Sequence, residues 1–68
     1  MANLYNVNVA INEVSKDLPY LNSGGVVAFP LWENITKFER KLVEQGIRAI
    51  KEISKVEVNK SSVIAYKK

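Results

Sequence analysis

Cysteine and histidine are both absent from this 68-residue sequence, and each absence excludes a class of function. Without cysteine, the chain has no disulfide and no thiolate metal site. Without histidine, it lacks the commonest metal ligand and the usual general base, so its serines cannot form a serine–histidine catalytic pair. No other set of residues converges on a reaction. We therefore expect no enzyme activity, no metal and no cofactor.

Long apolar runs are also missing. No stretch approaches the roughly 20 residues needed to cross a bilayer, and the N-terminus lacks the charged and apolar regions of a secretory signal. We expect a cytoplasmic protein with neither a membrane nor a small-molecule partner. Ten Lys and Arg against seven Asp and Glu give a net charge of +3, which is compatible with nucleic-acid binding but does not establish it.

The length limits residues 1–68 to a single domain. A core of this size supplies only about 3–5 kcal/mol unless something else stabilises it. Disulfides and zinc are excluded, yet 47% of the residues are hydrophobic, too many for a disordered tail. Association with a second copy is the remaining source of stability, and we expect a homodimer.

The segment 23–31, S-G-G-V-V-A-F-P-L, predicts a glycine turn followed by a strand that ends at Pro30. Residues 4–14 alternate between apolar and mostly asparagine positions, which predicts a half-buried strand. We expect these two strands to pair antiparallel. Residues 15–22 would join them as a loop containing at most one helical turn, because Pro19 prevents a long helix.

Residues 32–53 predict an amphipathic helix, since apolar residues recur at three- and four-residue steps. The predicted apolar face comprises Ile35, Phe38, Leu42, Val43, Ile47, Ala49, Ile50 and Ile53. Gly46 leaves the end of the helix open, because an interior glycine costs about 1 kcal/mol and a terminal one is favoured. We favour an end near residue 44 or 45, followed by a further turn or an irregular link over 47–53.

Residues 55–68 predict a β-hairpin. Val56 and Val58 alternate with charged residues, N-K-S-S supplies turn residues, and V-I-A-Y resumes an extended pattern. The sequence as a whole therefore predicts an α+β domain with the element order β-β-α-β-β.

Three motifs in this order resemble the AbrB-like swapped-hairpin transcription factors. They are G-V-V-A-F-P at 25–30, Q-G-I at 45–47, and the hairpin with V-E-V at 56–58 and V-I-A-Y-K-K at 63–68. The resemblance covers nearly the whole chain. It implies that two chains exchange hairpins to form an interleaved homodimer with a β-barrel-like core, and that this nucleoid-associated dimer binds double-stranded DNA and regulates transcription.

The basic residues of that family cannot be transferred to this chain. Val26 stands where relatives usually carry a basic residue, and Asn34 and Ile35 stand where they often carry arginines. Other residues must then contact DNA, and the longer helix offers cations for the phosphates. The candidate DNA-binding residues are Lys16, Asn22, Lys37, Arg40, Lys41 and Arg48. A solvated helix face, diluted by glutamates, would show the same pattern.

Two alternatives stay open at this stage. The chain could be a small protein-interaction module, either an inhibitor or an antitoxin-like protein, without a role on DNA. We expect no toxin-wrapping tail after Lys68, which counts against the antitoxin form. Phe29 and Trp32, which flank Pro30, could stack on bases or grip a partner, although packing beneath the start of the helix is the commoner role of large aromatic residues.

Overall fold

The structure is a computed structural model that describes residues 3–68. It confirms the α+β class, with two α-helices, one 3₁₀ turn and a three-stranded antiparallel sheet. The elements are α1 (Leu4–Asp17), the 3₁₀ turn (Leu18–Tyr20), β1 (Val26–Pro30), α2 (Lys37–Arg48), β2 (Ile53–Val58) and β3 (Ser62–Lys67). Neither α-helix is long and apolar enough to cross a membrane.

The predicted strand over residues 4–14 is wrong, because this segment forms the helix α1. Val7, Ala10 and Val14 recur at steps of three and four and are all buried, so the segment also satisfies the helical period. Asn3 caps the helix, since its side-chain oxygen accepts a hydrogen bond from the backbone N–H of Asn6. The element order is therefore α-β-α-β-β, with a single 3₁₀ turn in the predicted loop.

The predicted partner of β1 is also wrong. With α1 helical, β1 pairs antiparallel with β3, in a register that runs from Val26 opposite Tyr66 to Pro30 opposite Ser62. The C-terminal hairpin is confirmed, and it places β3 in the centre of the sheet order β1-β3-β2. Its turn is held by Asn59, whose side-chain oxygen accepts hydrogen bonds from the backbone N–H groups of Ser61 and Ser62.

Glycine is required in the turn that leads into β1. Gly24 has φ +82°, a conformation that side chains with a Cβ rarely adopt. The Gly24 N–H donates to the carbonyl of Lys67, and the Lys67 N–H donates to the carbonyl of Gly25. The turn therefore begins β1 directly beside the end of β3.

Both helices cover one face of the sheet. The buried cluster between the layers contains only aliphatic residues, namely Val7, Ala10, Val14, Leu18, Val27, Val43, Ile47, Ile53, Val56, Val63 and Ala65. The other face, which we call the open face, carries Val26, Ala28, Pro30, Lys55, Glu57, Ser62, Ile64 and Tyr66. On it Tyr66 donates a hydrogen bond of 2.9 Å to Glu57, and Lys55 lies 3.4 Å from the same carboxylate.

Helix α2 starts later and ends later than expected. It begins after Thr36 because Thr36 and Glu39 form a reciprocal capping box. It continues through Gly46 to Arg48, so the favoured end near residue 44 or 45 is wrong, while the turn after Arg48 matches the predicted irregular link. Phe38 does not belong to the buried face, since 61% of its surface is exposed.

The two helices run parallel and approach each other closely at Gly46. Asn3, at the start of α1, contacts Glu39 near the start of α2, and Ile11 lies beside Gly46 further along both helices. A Cβ added to Gly46 would lie only 2.2 Å from Cδ1 of Ile11. The side chain of Ile11 therefore occupies the space that a side chain at position 46 would need.

Glu39 is the buried charged residue of the fold, with only 3% of its surface exposed. Its carboxylate accepts hydrogen bonds from the backbone N–H groups of Thr36 and Asn3. The Thr36 hydrogen bond, followed by that of Asn3, lowers the pKa of Glu39 below its usual value of 4.5. Its ionised form therefore stabilises the fold above about pH 4.5, and this contribution is lost as the pH falls through the lowered pKa.

Candidate functional site

A shallow groove lies beside the first two turns of α2, where cations and an aromatic ring meet. It has a volume of about 570 Å³ and is lined by Lys37, Phe38, Arg40, Lys41, Glu44 and Val58. We call this feature the basic groove. It brings together three of the candidate DNA-binding residues on one surface, with Val58 of β2 forming the facing wall.

The position of these side chains follows from the start of α2. The Thr36 cap fixes the first turn, so Lys37 and Lys41 are one turn apart and neighbours on the helix surface. Glu39 points to the opposite side and is buried against the start of α1. The capping carboxylate therefore does not neutralise the cations of the groove.

The charges in the groove are only partly compensated. Among residues 3–68, Lys37, Arg40 and Lys41 form no ion pair. Arg40 is half-buried, and its guanidinium approaches the backbone carbonyl of Ile35 at 3.5 Å. Glu44 contributes a carboxylate, but Arg48 binds that carboxylate at 2.6 Å. The surface is left with an excess of positive charge, which would attract a polyanion.

Lys60 lies at the same end of the domain as the basic groove, in the turn between β2 and β3. Pro30, the last residue of β1, pairs with Ser62, and the next residue, Leu31, donates its N–H to Ser61. The β2–β3 turn that carries Lys60 therefore lies at the end of the sheet where the link into α2 begins. Lys60 was missed as a candidate because its turn composition reveals nothing about which helix lies nearby.

The other three candidate residues do not line the basic groove. Because α1 and α2 run parallel, Lys16 and Arg48 are both near the C-terminal ends of their helices. Lys16 lies 3.5 Å from Glu13, and Arg48 is paired with Glu44. Asn22 belongs to the turn before β1, where its carbonyl accepts the N–H of Gly25 at 2.8 Å. Lys16 and Asn22 therefore lie away from the basic groove, and Arg48 adjoins it only through Glu44.

Phe29 and Trp32 pack against the core cluster, in agreement with their commoner role. They line a second, smaller cavity of about 250 Å³, together with Asn6, Val9, Pro30 and Leu31. The exposed aromatic residue at the basic end is instead Phe38. The sequence predicted that Phe38 belongs to the apolar face of the helix, because it fits the three- and four-residue spacing of that face. No local feature of the sequence indicated that its ring is exposed.

No family model, no curated protein and no solved structure matches this chain. Within residues 3–68, no group of three or more acidic side chains is arranged to hold a metal ion. The basic groove is thus the candidate site that the described residues support on their own chemistry.

Proposed function

We propose that this protein is a DNA-binding transcriptional regulator that contacts the phosphate backbone through the basic groove. The observation that carries the proposal is the convergence of Lys37, Arg40 and Lys41 on one concave surface without ion-pair partners among residues 3–68. Lysine and arginine bind phosphates by charge and by hydrogen bonding, and a concave surface lets several of them contact one strand.

The groove supplies positioning rather than sequence recognition. Phosphate contacts orient a protein on the duplex, whereas specificity requires side chains that reach the base edges. The turn residue Lys60 would add a fourth phosphate contact beside the helix. Catalysis forms no part of the proposal, and nucleoid association follows from it as an expectation.

We also propose that the functional form is a homodimer. A second copy would double the basic surface and would cover the open face, where Val26 is 49% exposed beside Ala28, Ile64 and Tyr66. In the swapped-hairpin form of the dimer, β3 of each chain would pair with β1 of the other in the same register. Residues 49–52, which link α2 to the hairpin, would then act as the hinge.

The open face also favours the alternative function, a protein-interaction module. Exposed apolar residues on a sheet can bind a different protein as readily as a second copy. Glu57 forms an ion pair with Lys55 and accepts a hydrogen bond from Tyr66 within the chain. A partner would therefore not need to supply opposite charges. The two proposals differ in one measurable property: the regulator binds nucleic acid through the basic groove, whereas the protein-interaction module does not.

The first test is a titration of the purified protein onto a fluorescent 20-base-pair duplex at about 50 and 200 mM salt, followed by anisotropy. Four phosphate contacts in one protomer predict that the affinity falls by at least about 100-fold between these salt concentrations, because each contact contributes about −0.9 to the slope of log K against log salt. A folded protein that does not bind at the lower salt would overturn the DNA-binding proposal and leave the protein-partner alternative.

The second test uses the absence of cysteine, which makes an engineered disulfide unambiguous. Ala28 and Ile64 face each other across β1 and β3. Hydrogen bonds from Leu31 to Ser61 and from Lys67 to Gly25 mark the hydrogen-bonded pairs, so Ala28 and Ile64 form a non-hydrogen-bonded pair with a Cα separation of about 4.5 Å. That distance suits a disulfide.

Oxidation of the Ala28→Cys, Ile64→Cys variant distinguishes the two arrangements. Hairpin exchange predicts a covalent dimer on a non-reducing denaturing gel, because each disulfide would join two chains. A cross-linked monomer would contradict the exchange and show that the sheet closes within one chain. The single variant Ile64→Cys is the control for random cross-linking between copies.

A further inference from the structure

Phe38 is an exposed aromatic ring surrounded by cations. It is 61% exposed and lines the basic groove between Lys37, Arg40 and Lys41. A single exposed apolar residue is ordinary on protein surfaces. Phe38 differs because its ring lines a concavity and because positively charged side chains flank it within the same helical turn.

The shape of the groove determines what can contact this ring. A side chain that wedges between the base pairs of a duplex projects from a convex surface into the stack. Phe38 instead lines a groove whose opposite wall includes Val58. A base that stacks on the ring within the groove must be unpaired, because a base of an intact duplex cannot enter the groove without leaving its stack.

We propose that the basic groove binds single-stranded nucleic acid, with an unpaired base stacked on Phe38 and the flanking phosphates bound by Lys37, Arg40 and Lys41. This inference rests on the proposed function, because it assumes that the groove contacts phosphates. Every base has a π-face, so stacking of this kind tolerates any sequence. The groove, at about 570 Å³, has room for more than the planar ring system of one base.

The proposal changes what the protein would recognise on DNA. A regulator with this groove would bind duplex DNA through its phosphates and bind locally opened or single-stranded segments more tightly. The additional affinity would come from the aromatic contact alone. Consequently, substitution of Phe38 should mainly weaken binding of single strands, whereas substitution of the cations should weaken binding of both single strands and duplex.

The experiment compares three fluorescent ligands: a 12-nucleotide oligo-dT, a 12-nucleotide oligo-U and a 12-base-pair duplex. The proposal predicts that the wild-type protein binds at least one single strand more tightly than the duplex. It further predicts that Phe38→Ala weakens binding of that single strand by about 5- to 100-fold and weakens binding of the duplex much less, so that the single-strand preference is lost. The salt slope should not change, because the phosphate contacts remain.

Two further variants control for packing and for aromatic residues in general. Phe38→Leu keeps an apolar side chain without a π-face and should lose most of the single-strand preference, whereas Phe38→Trp should retain it. Tyr20 is 88% exposed and belongs to the 3₁₀ turn after α1, at the end of the domain away from the groove. Tyr20→Ala should therefore bind all three ligands as the wild type does.

The outcomes separate this inference from the proposed function. If the folded wild-type protein binds none of the ligands at about 50 mM salt, both fail. If it binds in a salt-dependent manner but prefers the duplex, or if Phe38→Ala binds the single strands unchanged, the stacking inference fails alone. Equal losses in Phe38→Ala and Tyr20→Ala would also overturn it, because the effect would then not belong to the groove.

Discussion

Replacing Lys37, Arg40 and Lys41 together by alanine is expected to weaken duplex binding at about 50 mM salt by at least about 1,000-fold. Each lost phosphate contact removes about 0.9 from the salt slope, so three lost contacts remove about 2.7. At about 1 M salt the electrostatic contribution is small, so at 50 mM this change in slope corresponds to about three and a half orders of magnitude in affinity. Anisotropy titrations over a series of salt concentrations measure both quantities.

The matched control removes the same charge from the other end of the domain. Lys16, Lys51 and Lys68 are all exposed and lie outside the groove. Their combined replacement by alanine also lowers the net charge by three, but it should reduce affinity far less, because no phosphates bound in the groove would lose a partner. Equal effects of the two triple variants would show that net charge, and not the groove, governs binding.

Loss of folding is the main confounding result for the groove variant. Lys37 and Lys41 are exposed, but Arg40 is half-buried and approaches the carbonyl of Ile35. The double variant Lys37→Ala, Lys41→Ala leaves Arg40 in place and should still reduce the salt slope by about 1.8. Unchanged binding by this folded double variant would remove the groove from the DNA contact.

Gly46→Ala is expected to lower the free energy of unfolding by about 1–2 kcal/mol, although alanine favours a helix over glycine by about 1 kcal/mol. The added Cβ would lie 2.2 Å from Cδ1 and 3.0 Å from Cγ1 of Ile11, so either Ile11 or helix α1 must move. Overpacking of this kind costs about 1–3 kcal/mol. For a domain of this size the melting temperature should fall by about 5–15 °C, as measured by thermal denaturation.

A double-mutant cycle assigns this cost to the contact with Ile11. In an Ile11→Ala background the nearest side-chain atoms are removed, and Gly46→Ala should then stabilise the protein by up to about 1 kcal/mol. The expected coupling between the two positions is therefore about 2–3 kcal/mol. A melting temperature that rises for Gly46→Ala in the otherwise unchanged chain would show that Ile11 rotates away at little cost and that the helices are not tightly packed there.

The parts of the fold predicted correctly from the sequence are those with strong local signals. Proline and glycine mark both ends of β1, and the alternation and turn residues of the hairpin occur within 16 consecutive positions, 53–68. The C-terminal hairpin and the α+β class followed from these signals. The sequence of segment 4–14 fits two structures. Its apolar residues alternate with a period of two, as in a strand, but Val7, Ala10 and Val14 also have the three- and four-residue spacing of a helix.

Tertiary contacts decided the remaining features. Considered within α2 alone, Gly46 predicts the end of a helix. Its presence inside the helix is understood from the contact with Ile11 of α1, which the sequence of α2 does not reveal. Of the candidate site, the cluster Lys37, Arg40 and Lys41 was predictable because helical spacing alone groups these residues. The addition of Lys60 depends on the sheet order, and the exposure of Phe38 depends on the actual angle at which α2 meets the sheet.

Glu39 couples the stability of the start of α1 to that of the start of α2. One carboxylate holds the backbone N–H groups of Thr36 and Asn3, which are 33 residues apart in the chain, at the starts of two parallel helices. Fraying of α1 would therefore remove one of the two hydrogen bonds that keep this carboxylate in place at the start of α2. The two helix starts form a single cooperative unit, so the cations of the groove remain aligned only while the N-terminal helix is docked.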